Sequence, residues 1–508
     1  MIALGAVNDM KAIYGPEEFY PMVLGLGVVA GLLQVVFALA RGGALSDMFP
    51  ISAVHGMLAA IGVIIILKQF PIALGYLNNK GEPFELIERI PEIVQHAVPR
   101  IAAIGITSLV MMFVLNALRT KVKLLKTIPA QVFVLAFAIG MTLVLGLNKD
   151  EPQTAPTTEV AATESQAAEG PSSEAENADP ETTAESSAEA PSEHEEAAAP
   201  PPTNADFLVK LDPKPLGMFS AFRFPKFDAV MTSTGMYWIM MFAIIGTLES
   251  LLSAKAVDMI DPHKRKTDLN RDVLAVGAAN TLAAFIGGLP MISEIVRSKA
   301  NIDNGAKTRF ANVWHGIFLV VCVASIPMLI HLIPNAALAA MLIFTGYRLA
   351  SPAEFLHVYR VGKEQLVIFV GTLVAVLATD LLWGILIGIG IKLVIHLING
   401  LSLRSIFWPY LNASVADNNT VYVYAQHSAV FSNWILFRRQ LMRLGSEGHE
   451  NVTLDMSNTR LVDHTVMEKL HEVEGEFKAL GVNFKVVGLD QHRALSDHPY
   501  ATRKKGRG

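Results

Sequence analysis

The apolar residues of this chain gather into blocks about twenty residues long, roughly what a helix needs to cross a hydrocarbon layer about 30 Å thick. The blocks cover about 20–41, 50–68, 100–118, 128–147, 234–254 and 272–289. A denser region from 312 to 400 divides into four more, with breaks at Pro334, Gly362 and Asp380. A soluble core would show one apolar face per element rather than continuous runs. Hydrophobic residues make up 52% of the chain and charged residues 17%, against roughly 25% charged in soluble domains. The pattern predicts an α-helical polytopic membrane protein and excludes an ordinary soluble enzyme of this length.

Charge is distributed unevenly. Residues 150–206 are rich in Ala, Glu, Ser, Thr and Pro, with fourteen acidic residues over 150–204 and no Lys or Arg. Such a stretch cannot bury enough apolar surface to fold and reads as a disordered acidic extracytoplasmic loop. The remainder is net basic, which suits cytoplasmic loops rather than nucleic acid. Arg119, Lys121, Lys123 and Lys126 follow the third block, and His263, Lys264, Arg265 and Lys266 follow the fifth. Two spans separate these clusters, so both face one side, the cytoplasm by the positive-inside rule, and the acidic loop faces the other. One cysteine, Cys322, excludes a disulfide framework and a thiolate metal cluster. The opening residues, Met1 to Val7, are apolar but too short to span and lack the marks of a signal peptide; they read as the tail of a helix.

After Gly400 the composition changes. Residues 420–424, 451–456 and 483–488 read as strands, and 466–480 has helical spacing, so a small α/β domain follows the last span. The basic end, Arg503-Lys504-Lys505-Gly506-Arg507, reads as a frayed tail near anionic lipid.

Two places can carry chemistry. Glu249 stands near the middle of a span, where a carboxylate is expensive unless paired, protonated or holding a cation. Ser253 lies one turn on, on the same helix face. Together they suit half a site for Na⁺ or a proton; a protonated glutamate bonding a neighbouring helix is the alternative. The second place is Gly287-Gly288-Leu289-Pro290-Met291-Ile292-Ser293-Glu294-Ile295-Val296-Arg297-Ser298. The double glycine permits a tight turn, and proline suits a first helical turn. A short helix starting here inside the membrane would aim unsatisfied N–H groups at an anion; a proline-kinked span is the alternative. Arg297 either adds positive potential or pairs with Glu294 or Glu249. His55, His315, His331 and His396 lack ligand spacing and read as packing or interfacial residues. Asp47 and Asp380 read as caps at span ends. No Gly-x-x-x-x-Gly-Lys-Ser/Thr loop is present, which disfavours an ATP-driven pump, and no nucleophile–base or metal constellation marks an enzyme.

In order along the chain, Gly246-Thr247-Leu248-Glu249-Ser250-Leu251-Leu252, Asn270-Arg271-Asp272, Gly287-Gly288-Leu289-Pro290 and Asn304-Gly305-Ala306-Lys307-Thr308-Arg309 form a set that resembles the SulP family, the sulfate permease family of inorganic anion transporters. His315-Gly316, Ile333-Pro334 and Gly346-Tyr347-Arg348 extend the likeness. The resemblance implies two inverted repeats of seven membrane segments, with core helices moving against a gate in an elevator-like manner. It places the anion between the N-terminal ends of the third and tenth segments. Carried over, Met291, Ile292, Ser293 and Glu294 start the tenth segment and Arg297 is its basic position. Glu249 and Ser253 are the coupling-ion positions of the eighth. It divides the chain into the remainder of the first repeat (1–149), the acidic loop (150–206), the second repeat (207–404), a cytoplasmic STAS-like domain (405–500) and the basic tail (501–508). It implies no cofactor beyond a coupling Na⁺ or H⁺, and a homodimer in a bacterial inner membrane.

Three features depart from the family pattern. Met291-Ile292-Ser293-Glu294 is bulkier than the small residues many members carry and adds a carboxylate. The chain begins, on this likeness, inside the third segment, so a separately supplied N-terminal segment is one expectation. Leu461-Val462-Asp463-His464-Thr465 has histidine where phosphoregulated STAS domains place serine, which argues against phosphorylation there. The functional expectation is secondary active transport of a small inorganic anion, sulfate or bicarbonate, coupled to H⁺ or Na⁺. Its rivals are a nucleobase permease of the same fold, disfavoured by Met291-Ile292, and a non-transporting homologue acting as a membrane-tethered STAS interaction module.

Overall fold

The computed structural model describes residues 2–43, 49–78, 81–119, 121, 128–148, 203–211, 214–263, 265–416, 419–445 and 450–506. Asp47, Lys123, Lys126, Lys264 and most of the acidic loop lie outside the described residues. The helices are α1 (Ile2–Leu39), α2 (Ile51–Ala73), α3 (Pro83–Glu88), α4 (Ile90–Gln95), α5 (Pro99–Leu118) and α6 (Ala130–Val144). After the acidic loop come α7 (Ser233–Ile260), α8 (Leu269–Phe285), α9 (Ile295–Asp303), α10 (Phe310–Ser325), α11 (Pro327–His331), α12 (Asn335–Leu349) and α13 (Pro352–Val361). The last membrane helices are α14 (Lys363–Ala378) and α15 (Leu381–Ile398), and a short α16 (Leu403–Phe407) leads away. Among the described residues, six helical stretches are long and apolar enough to cross a membrane, and α6 and α10 are shorter apolar helices.

Local chemistry explains the ends. Thr232 caps α7 by accepting from Gly235 N–H, Asp268 caps α8 through Arg271 N–H, and Asp380 caps α15 through Trp383 N–H at 2.8 Å. Asp380 therefore has the capping role its position implies. The opening residues are not an isolated tail. They belong to α1, which bends at Gly15 (φ 79°) just before Pro16, a backbone angle that favours glycine. The first limb packs Ala6 and Met10 against Trp238, Ile239 and Phe242 of α7, and Trp238 Nε1 donates to Asp9 at 2.9 Å.

The helices form two groups. In one, α1 lies against α7 and α8, and α9 rests on α7. In the other, α2 and α5 pack on α12, α2 and α15 pack on α14, and α6 packs on α5. An apolar seam joins them, with Leu252, Ala256 and Ile295 on one side and Ala53, Val54, Met57, Leu349, Ile368 and Ile385 on the other. Helix α10 buries no residue; its all-round apolar surface is at home only in hydrocarbon.

Strands β1 (Tyr410–Ala416), β2 (Thr420–Ala429), β3 (Asn451–Val462), β4 (Asn483–Val487), β5 (His492–Ala494) and β6 (Arg503–Lys505) build one C-terminal sheet with α17 (Trp434–Gly445) and α18 (His464–Ala479). The sheet runs β1-β2-β3-β6-β5, with β4 also pairing β3. β2, β3 and β4 are parallel neighbours. Val421, Val423, Val452, Leu454 and Met456 alternate inward onto Trp434, Phe437, Leu470, Val473 and Phe477. The three expected strands and the helix are present; β1, α17 and β5 were not foreseen. The basic end is a correction. It is no frayed tail: Arg503 and Lys504 pair with Val462 and Leu461 of β3 and with β5, and Lys504 Nζ donates to Asn399 Oδ1 at 2.8 Å. The acidic loop is also folded at its end, where Thr203 and Asp206 form a capping box and Val209 N–H bonds Ile333 O at 3.0 Å.

The C-terminal domain docks on the second helix group. Lys392 of α15 is 1% exposed, and its Nζ lies 3.0 Å from Asp463 Oδ2 and 2.8 Å from Thr465 Oγ, with the Phe431 ring 4.9 Å away. Asp463 caps α18 through Val466 N–H and also accepts from Phe431 N–H. Burial pushes its carboxyl up, yet Lys392, His396 and these two N–H groups leave it below the usual carboxylate range. Burial pulls His464 down from 6.5 to about 4. The unfolded chain then takes up a proton near pH 6.5 that the folded domain refuses until about pH 4. Stability is lost as pH falls through that window, by at most about 3 kcal/mol. The urea midpoint of the C-terminal domain should decline over this range, and His464→Gln should flatten the decline. Lys392→Met, which strands a buried Asp463, should cost about 3–5 kcal/mol in the same titration.

Candidate functional site

Two glycines end α8: Gly287 has φ 107°, and a Cβ there would meet Arg223 N at 3.0 Å. The chain then has no regular secondary structure from Gly288 to Glu294 before α9 begins at Ile295. The expected start of the short helix at Pro290 is thus corrected by five residues. The reason lies in the neighbours, whose side chains hold Met291 and Ser293 outside a helix. Asn280 of α8 accepts from Met291 N–H at 2.8 Å and donates to Met291 O at 2.9 Å. Ser293 N–H reaches Ser250 Oγ of α7 at 3.3 Å, and Ser293 Oγ donates to Asp272 of α8 at 3.1 Å. Each bond holds a backbone that could otherwise coil.

Glu294 then serves as the N-cap of α9, its carboxylate accepting from Val296 N–H at 3.2 Å. Ile295 is buried in the seam between the helix groups. Among the described residues the backbone N–H groups of Ile292, Glu294 and Ile295 have no acceptor. With the N–H of Leu289, they are the donors this segment leaves open among the described residues. The other end of α9 is tied down: Asp303 meets Lys299 at 3.0 Å and Arg348 of α12 at 2.8 Å, and Arg119 donates to its carbonyl at 2.9 Å.

Of the seven residues expected to form the site, the structure brings Ser293 against the Glu249 helix through Ser250. Glu249 is half-buried and makes no hydrogen bond or ion pair among the described residues; the carboxylates of Glu294 and Asp380 lie within its electrostatic reach. Ser253 is buried one turn below. Met291 and Glu294 are exposed and Ile292 is half-buried. Arg297 is exposed and, among the described residues, forms no ion pair with Glu249 or Glu294. Asn280, Gln34, Asp272 and Ser250, which hold the segment, were missed. Asn280 and Gln34 were detectable only as amides inside apolar runs; Asp272 lay within a quoted motif without a role.

A half-helix opening among three membrane helices, with its entry strand stapled by their side chains, defines the class: a polytopic membrane protein of the broken-helix transporter architecture. The family follows from comparison. The sulfate permease family model matches residues 2–163 and 214–372, and the chain belongs to that family, whose members are transporters rather than enzymes. The Bacillus subtilis (strain 168) protein YvdB is 30% identical over 148 residues, 29% of this chain and 27% of that protein. The bicarbonate transporter BicA of Synechocystis sp. is 18% identical over 378 residues, 74% of this chain and 55% of BicA. The chain thus spans about half or less of these relatives. The murine Solute Carrier 26 family member A9 anion transporter in the inward-facing state is 14% identical, with a TM-score of 0.50 over 92% of this chain and 69% of that one; this likeness concerns the fold alone.

The packing of α9 has a direct check. Ile295→Ala should cost about 2–5 kcal/mol because it opens a cavity in the seam. Arg297→Ala, one half-turn on and exposed, should change stability by less than about 0.5 kcal/mol. Thermal unfolding in detergent distinguishes the two.

Proposed function

We propose that this protein carries out secondary active transport of a small inorganic anion, sulfate or bicarbonate, coupled to H⁺ or Na⁺, with the two helix groups moving in an elevator-like way. One observation carries the reading: the N–H groups of Ile292, Glu294 and Ile295 stay open at the start of α9, beside the Ser293–Ser250 contact that adjoins Glu249. Fixed dipoles of this kind favour an oxyanion without a dedicated base. Family membership and the likeness to BicA support the substrate class. A half-buried carboxylate on α7, without a hydrogen-bond or ion-pair partner among the described residues, suits a coupling cation.

Orientation has its own support. Arg119 binds Asp303 and Arg265 binds the carbonyl of Lys307, so both basic clusters gather at one end of the helices. The C-terminal domain docks at that end as well, through Val361, Lys392 and Asn399. The opposite end of α12 receives residues 208–209, which close the acidic loop. By the positive-inside rule the first face is cytoplasmic, in a bacterial inner membrane, and a homodimer is the expected assembly.

Uptake of labelled sulfate and of labelled bicarbonate by the full chain in liposomes tests the reading. Uptake should follow an imposed H⁺ or Na⁺ gradient, and Glu249→Gln should abolish that dependence. Glu294→Gln, which removes a competing carboxylate from the α9 end, should tighten anion binding by about tenfold at neutral pH. Competition by uracil or xanthine, or gradient-independent uptake in every variant, would overturn it.

A further inference from the structure

Both backbone polar atoms of Met291 are gripped by a single side chain, and that side chain is itself gripped. Asn280 is 1% exposed. Its Oδ1 accepts from Met291 N–H at 2.8 Å, and its Nδ2 donates to Met291 O and to Gln34 Oε1, both at 2.9 Å. Both amide protons are therefore used, and the amide has one permitted orientation. Gln34, 2% exposed on α1, is in turn backed by α7: a Cβ on Gly246 would stand 3.0 Å from its Nε2. Three helices thus converge through two buried amides on one residue of the segment.

We infer that Asn280 is the positioning residue of the anion-facing segment, acting through Met291 and held in register by Gln34. This inference rests on the transport reading for its functional consequence, but its structural half stands separately. An aspartate at 280 keeps the acceptor for Met291 N–H. When ionised it sets oxygen against oxygen at Met291 O, a mismatch in a buried place, while the Gln34 amide can turn to donate to it. When protonated it recovers one donor. Asn280→Asp therefore converts a constant clamp into one that closes only at low pH. The groups facing it are the Met291 peptide and Gln34; the nearby carboxylate of Asp272 bonds Ser293 instead. The wild-type pH profile, measured alongside, removes their own titration from the comparison.

The experiment uses the full chain in liposomes for anion uptake and in lipid nanodiscs for amide exchange over 288–294, corrected for intrinsic rates. Relative to wild type at each pH, Asn280→Asp should raise the KM for anion about tenfold near pH 8 and recover most of it near pH 5.5. Amide exchange of the segment should rise and fall in parallel. Asn280→Ala should raise KM and exchange at every pH, and Gln34→Leu should do so by a smaller factor. A flat Asn280→Asp to wild-type ratio across pH in both measurements, or exchange unaffected by Asn280→Ala, overturns the inference. If wild type takes up no anion yet exchange shows the pH-reversible release, the clamp stands and the transport reading falls.

Discussion

A peptide chain that stops being helical inside a membrane must find partners for every N–H and C=O it exposes, since hydrocarbon supplies none. The irregular run from Gly288 to Glu294 meets that demand in part, with side chains instead of a second strand. Asn280 takes both polar atoms of Met291, and Ser250 takes the Ser293 N–H. Tyr20 of α1 donates to Gly287 O at 2.7 Å at the entrance. The arrangement of the first helix group follows from this. Helices α1, α7 and α8 must all approach the same seven residues, so the faces they turn to one another carry Gly, Ser, Thr and amides where lipid-facing helices carry leucine. The groups left without partners, at Ile292, Glu294 and Ile295, mark the side where something other than protein is expected.

The two helix groups are held by different forces. Polar staples and small residues organise the group that bears the site. Between the groups runs an apolar seam, crossed at its end by the Asp303–Arg348 ion pair. The C-terminal domain binds the second group through Val361, Gln365, Lys392 and Asn399. An elevator-like displacement of α7–α9 would slide along apolar surface and break that ion pair, while the junction contacts could persist. Apolar surfaces are non-directional and tolerate such sliding; a hydrogen-bonded seam would have to break bond by bond.

Much of this was legible in the sequence, for a physical reason. Continuous apolar blocks leave a chain few options, and the break at Gly287-Gly288-Leu289-Pro290 announces itself by residue type. The onset of α9 was misplaced because Pro290 is as compatible with extended backbone as with a first helical turn. What decides between them is Asn280, ten residues upstream, through a contact that no local pattern records. The strand at Arg503–Lys505 was missed for a similar reason. Three basic residues favour solvent until a neighbour strand and Asn399 offer them partners. The alternation of β2 and β3, by contrast, is a local property, and it was read correctly.

Asp463-His464-Thr465 shows what residue type alone leaves out of a sequence reading. Histidine in place of serine argues against phosphorylation at 464 on residue type alone. The structure supplies a stronger reason. Here the N-terminus of α18 is not a free electropositive end: Asp463 already caps it, and Lys392 arrives from α15 to balance that carboxylate. His464 is buried with its Nδ1 on Tyr500 O at 2.7 Å, and Thr465 is fully buried with its hydroxyl on Lys392. A dianionic phosphoryl group at either place would be desolvated beside an existing carboxylate, which its charge opposes. The turn has become the seat of the membrane helix. A lysine in an otherwise apolar span, which looks costly when α15 is read alone, is the matching half of that junction.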